Sequence, residues 1–159
     1  MRLDIIAIVI AAMSAVFTGV MAYLLAKEQK YRLRPFVYVD RIDQNVSGGK
    51  VEWQVITKNC GLLPATKTIT VVTLYADKTQ KKVAMSEKPS KTIILPQQIF
   101  RHKLELAEKY AQNVMQGKVI VEMDIDIEYK GAGRSYYYKA HYTFDSGANM
   151  WVFDDGDAN

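Results

Sequence analysis

Four carboxylates stand at alternate positions of one short run, Glu122, Asp124, Asp126 and Glu128. Carboxylates held close together are the raw material of general acid–base chemistry and of hard-cation sites. Their spacing argues against both uses. They alternate with Val121, Met123, Ile125, Ile127 and Tyr129 and so fall on the wet side of a strand, whereas hard-cation sites usually gather their ligands from a loop. The next strand supplies Lys139 and His141, so cross-strand pairs are the expected use, Asp124 opposite Lys139 and Glu122 opposite His141. Two histidines, His102 and His141, and one cysteine, Cys60, do not make a transition-metal motif. The chain has no nucleophile elbow, phosphate-binding loop or dinucleotide fingerprint. Asp154-Asp155-Gly156-Asp157 begins like a calcium loop but lacks its closing Glu, and reads as a mobile acidic tail over residues 154–159. No catalytic residue, metal or cofactor is expected, and the chain is not expected to be an enzyme.

What must be positioned is therefore a surface, and the element best suited to present one is Ile5 to Ala26. These residues carry no charge between Asp4 and Lys27. At ~1.5 Å per residue a helix of that length crosses a hydrocarbon core of ~30 Å. A cleaved signal would be shorter, with a basic start and a small-x-small cut site, so a retained transmembrane anchor with a basic juxtamembrane helix is expected over residues 1–34. Small residues recur at Ala7, Ala11, Ala15 and Gly19, with a second row at Ser14, Thr18, Ala22 and Ala26 on the neighbouring face. Such rows permit the close backbone approach on which helix association in lipid depends. Composition alone also enriches alanine in membrane helices; the pattern is read here as a docking face. Lys27, Lys30, Arg32 and Arg34 follow the span against Glu28, while Arg2 and Asp4 precede it. The positive-inside rule then puts the bulk of the chain in the cytoplasm. An extracytoplasmic domain is the alternative, to which the loose sequon Asn45-Val46-Ser47 points.

The formal net charge is +4; residues 1–34 hold five basic and two acidic side chains and account for +3 of it, leaving +1 on the rest. A nucleic-acid partner would need basic residues clustered on the folded domain, so none is expected. Arg34-Pro35 ends the helix. Strands are expected at Phe36–Val39, Val51–Lys58, Thr66–Asp77, Lys91–Leu95 and Ile99–Leu104. Lys78 to Ser90, with Lys78, Lys81, Lys82 and Lys88, reads as an exposed hairpin whose lysines block edge pairing; contact with anionic lipid is its alternative use. Ala107, Tyr110, Ala111 and Val114 have helical spacing and predict a short helix near 106–115, ended by Gly117. A hairpin turning at Gly131-Ala132, with Lys130 opposite Gly133, predicts Ile127 facing Tyr136, Ile125 facing Tyr138 and Val121 facing Tyr142.

Lys58-Asn59-Cys60-Gly61, then Pro64-Ala65, a long Thr/Val strand and Ile94-Leu95-Pro96-Gln97 resemble immunoglobulin-like β-sandwich modules of the CARDB type over roughly residues 35–145. Cys60 replaces the small aliphatic residue common there, and Gln97 the glycine. The resemblance implies a fold and an interaction role. The expected chain is mainly β: an N-terminal transmembrane α-helix, then a seven- to eight-stranded antiparallel sandwich with one short helix, the domain running over 35–153. Its expected role is a single-pass accessory or structural subunit of a larger membrane complex, with other transmembrane helices, or copies of itself, and the lipid bilayer as partners. A surface or filament subunit, with bundled N-terminal helices inside a sheath of β-domains, is the alternative.

Overall fold

The computed structural model describes the backbone of residues 2–47, 50–76, 81–106 and 108–158, and the side chains of residues 8–29, 33–47, 50–76, 92–106 and 110–158. The chain divides into two units, Met1–Arg34 and Pro35–Asn159. The first is a helix, α1 (Arg2–Arg32), built from Ala, Leu, Ile, Val and Met with no proline to interrupt it. Its segment Ile8–Gln29, 22 residues, is long and apolar enough to cross a membrane, and none of it is buried. Ile8, Met13, Val16 and Phe17 are each about two-thirds exposed. Large apolar side chains exposed around a whole helix suit lipid and not water.

The second unit is a sandwich of two antiparallel sheets. β1 (Val37–Ser47), β2 (Lys50–Asn59) and β5 (Ile99–Leu106) form one sheet in the order β1-β2-β5. β3 (Ala65–Ala76), β4 (Lys81–Ile94), β6 (Val121–Gly131), β7 (Arg134–Asp145) and β8 (Met150–Ala158) form the other in the order β4-β3-β6-β7-β8. Alternation decides what lies between them. Val51, Trp53 and Val55 face inward from β2, Leu104 and Leu106 from β5, and Val121, Met123, Ile125, Ile127 and Tyr129 from β6, all nearly fully buried.

Three expectations need correction. The hairpin of β6 and β7 turns at Ala132-Gly133, with Gly131 opposite Arg134. Ile127 therefore faces Tyr138, Ile125 faces Ala140 and Met123 faces Tyr142, two positions from the sequence-based register. Ala132 and Gly133 both take positive φ (49° and 74°), as a type I′ turn requires. Gly131 stays in the strand for a steric reason: a Cβ there would lie 2.3 Å from Pro35 Cγ. Second, residues 154–158 are no free tail, because they are the second half of β8, paired with β7 from Tyr138 to His141. Third, residues 81–94 form one long strand against β3, so the expected hairpin over 78–90 and short strand after it merge into β4. Lys78 lies outside the described residues, as do the side chains of Lys81, Lys82 and Lys88.

The link from β5 to β6 carries α2 (Glu108–Met115), which buries Ala111 and Val114 and packs against β2 at one end of the core. Its stop is encoded locally. Lys118 N donates to Asn113 O and Gly117 N to Val114 O, with Gly117 at φ 67°. A Cβ at Gly117 would also meet Ser146 Oγ at 2.7 Å. Trp53, Phe144 and Trp151 form a mutual cluster, Trp53 lying 5.7 and 5.0 Å from the other two ring centroids. Trp53 Nε1 donates to Gln44 Oε1 at 3.3 Å. Gln44 Nε2 in turn reaches Asn149 Oδ1 at 3.2 Å.

Candidate functional site

On α1 the candidate packing residues keep the spacing that put them on neighbouring faces. Ala11, Ser14, Ala15, Thr18, Gly19 and Ala22 are all exposed, and nothing lies within 4 Å of the Cβ position of Gly19. The Thr18 hydroxyl donates back to Ser14 O at 2.8 Å, which hides its polar hydrogen within the helix. The side chain of Ala7 lies outside the described residues. Of the basic flank, Lys27 is exposed and Arg34 half-buried, while the side chains of Lys30 and Arg32 are outside the described set.

The carboxylates of β6 stand on the outer wall of the five-stranded sheet, joined there by Asp154, Asp155 and Asp157 of β8. The expected pairings move with the register. Asp126 faces Lys139, Nζ to Oδ1 3.5 Å, and Asp124 faces His141, Nδ1 to Oδ1 2.6 Å. On its other side His141 Nε2 lies 3.9 Å from Asp154 Oδ2, the atom to which the Thr143 hydroxyl donates at 2.6 Å. The hydrogen bond to Asp124 holds the His141 imidazole above its ordinary range, partial burial opposing it. Burial first, then Asp124, raises the Tyr75 phenol. Tyr137 is raised by donating to Asp157 at 2.8 Å. This is the wiring of a clasp. The Thr143 hydroxyl donates to Asp154 and not to the His141 ring, so Asp124, His141, Thr143 and Asp154 tie β6, β7 and β8 together across the wall. Among the described residues no group of three or more His, Cys, Asp or Glu is placed to hold a metal ion.

Between the edge strands β1 and β8 lies an open cleft of about 630 Å³, lined by residues 39–44, Tyr142, Asn149, Met150 and Trp151. Arg41 on its rim is bound to its neighbours Asp40 and Asp43 at 3.0 and 3.2 Å.

Asn59, unread as a site in the sequence beyond its place in a familiar motif, organises the end of the sandwich where the chain enters. Fully buried, it accepts through Oδ1 from Phe36 N and Gly61 N, both at 3.0 Å. Through Nδ2 it donates to Leu63 O at 2.9 Å and Ile94 O at 3.0 Å. One carboxamide thus ties the start of the domain, the 60–64 loop and the end of β4. The adjoining turn closes with Gln98 N on Leu95 O at 3.0 Å, and Gln97 adopts φ 63° where a glycine would be relaxed. His102, expected beside Phe100 and Leu104, is buried on that inner face, its ring 4.8 Å from Phe100.

No protein-family model matches the chain, and no curated protein sequence matches it. Solved structures do resemble it. A protein from Archaeoglobus fulgidus aligns over 77% of this chain and 98% of its own, with 11% identity and a TM-score of 0.45. OgpA from Akkermansia muciniphila aligns over 77% of this chain and 30% of its own, with 16% identity and a TM-score of 0.38. A glycosyl hydrolase family 2 member from Bacteroides cellulosilyticus aligns over 77% of this chain and 16% of its own, with 13% identity and a TM-score of 0.36. The chain spans only these small fractions of the last two proteins' lengths, and likeness at this level says nothing about activity.

Proposed function

We propose that this chain is a non-catalytic single-pass membrane protein, an accessory or structural subunit of a larger membrane complex. Its helix docks among partner helices, and its sandwich, on the cytoplasmic side, braces their water-exposed parts. The observation that carries this reading is the small-residue face of α1, on which Ala11, Ala15 and Gly19 recur every fourth residue in an apolar segment none of which is buried. In lipid, where apolar side chains gain little by leaving their surroundings, close backbone contact is what a helix has to offer. The strand connections support an immunoglobulin-like, CARDB-type module. β2 pairs with β5 and β3 with β6, while the sequence neighbours β2 and β3, β4 and β5 lie in opposite sheets. The basic flank after the span supports the cytoplasmic side.

Replacing both Ala11 and Ala15 with Leu keeps the span hydrophobic and adds bulk where two backbones would meet. Membrane fractionation should be unchanged, while the native complex should weaken by about tenfold, since such contacts amount to ~1–2 kcal/mol. The control is Leu at Val9 and Val16, on the far side of the helix. Equal complex yield from both variants would reduce the helix to a tether. A complex made only of copies of this chain would favour the filament reading.

A further inference from the structure

We infer that the end of the sandwich at which the chain enters is a bilayer-docking surface. It rests on anionic headgroups, with Leu62 and Leu95 reaching into the interfacial layer. The inference rests on reading α1 as a membrane span. The loops at this end are held side by side by named contacts: Asn59 joins residue 36 to the 60–64 loop and the end of β4, and Gln97 N donates to Asn59 O at 2.7 Å. Gly131 packs against Pro35 at the same end. Leu62, in the 60–64 loop, is 61% exposed, Leu95, where the 95–98 turn begins, 53%, and Ile93, two residues before it, 53%. Scattered single leucines need no explanation, but these three exposed side chains stand on segments that Asn59 ties together.

Charge points to what covers it. The stretches that build this end, residues 35–39, 57–67, 92–100 and 129–136, contain Lys58, Lys67, Lys130 and Arg134 and no carboxylate, Asp40 and Glu128 standing just beyond them. The carboxylates of β6 and β8 lie farther along the outer wall, and Lys130 continues the β6 row at the entry end. Basic residues in the same stretches as exposed leucines match a surface of anionic headgroups over an apolar layer. Continuity of the chain brings the two within reach. The apolar segment ends at Gln29 and the domain begins at Pro35, six residues on, which even fully extended span at most about 20 Å.

Cys60, the sole cysteine and exposed, offers a probe site in the 60–64 loop. The full chain, labelled there with a nitrobenzoxadiazole dye, is reconstituted into phosphatidylcholine vesicles with and without phosphatidylglycerol. A second chain, Cys60→Ser with Ser47→Cys, carries the dye at the far end of β1. With phosphatidylglycerol present, the Cys60 probe should be quenched by lipids spin-labelled near the headgroup and be severalfold less accessible to iodide than the Ser47→Cys probe. Lys130→Glu with Arg134→Glu should return it to water, while Trp emission confirms an intact fold. Iodide accessibility equal at both positions, in a chain that alkaline carbonate leaves in the membrane, would overturn the docking surface alone. Release of the chain by carbonate would overturn the spanning reading, and the docking surface with it. A Cys60 probe shielded in native membranes but wet in pure lipid would overturn it in favour of a protein partner.

Discussion

Asn59 uses both of its carboxamide atoms twice, and each bond holds a backbone group that would otherwise be lost from water. A buried polar group left without its partner costs ~1–3 kcal/mol, so Asn59→Ala, which strands several, should destabilise the domain by on the order of 3 kcal/mol or more. Thermal unfolding followed through Trp53 in the core and Trp151 packed against it would read this; a loss within error of zero would mean water replaces the carboxamide. His141 acts more gently, in a pH-dependent way. Its pKa is raised by Asp124, so its contribution is fully present below the unfolded histidine value, ~6.5, and is lost as pH rises through the higher folded value. Glu122, Asp124 and Asp154 all favour the charged ring. Stability should therefore fall across the range just above pH 6.5, by less than ~1 kcal/mol for a partly exposed pair, and His141→Gln should flatten that slope. A rise in stability over the same range would reverse the assigned sign. At this scale the sequence disclosed residue types well and partners poorly: Asp124 was legible as half of an ion pair, but with Lys139 and not His141.

The elements explain that error. Alternation fixes which face a side chain takes, and a slip of two residues preserves every face, so the apolar pattern of β6 and β7 is blind to it. The turn breaks the tie. Gly131 is needed against Pro35, where a side chain would collide, and Gly133 is the glycine that turns. Cross-linking distinguishes the registers directly, because directly opposed Cα atoms lie ~4.5–5.5 Å apart and can be bridged, whereas diagonal ones at ~7–8 Å cannot without movement. In a Cys60→Ser background, Asp126→Cys with Lys139→Cys should form a disulfide readily and Asp124→Cys with Lys139→Cys should not. The reverse yields would restore the Gly131-Ala132 turn. The last strand was missed for another reason. Its aspartates look like a tail, yet their place on a wet outer wall leaves them solvated while the backbone pairs. The run Trp151-Val152-Phe153 just before them was the available strand signal.

For the whole molecule, the apolar helix and the β character of the remainder were legible because each rests on a local period. The division of eight strands into sheets of three and five was not, since no local pattern tells β2 that its neighbours are β1 and β5. The proposed role turns on α1. A photoreactive side chain placed in turn at Ala11, Ala15, Gly19 and Ala22, and at Met13 and Val20 on the opposite face, reads the helix's surroundings in native membranes. Docking by the small-residue face predicts protein adducts at the first four positions and lipid alone at the other two. Protein adducts at Met13 and Val20, or lipid alone at all six positions, would contradict it.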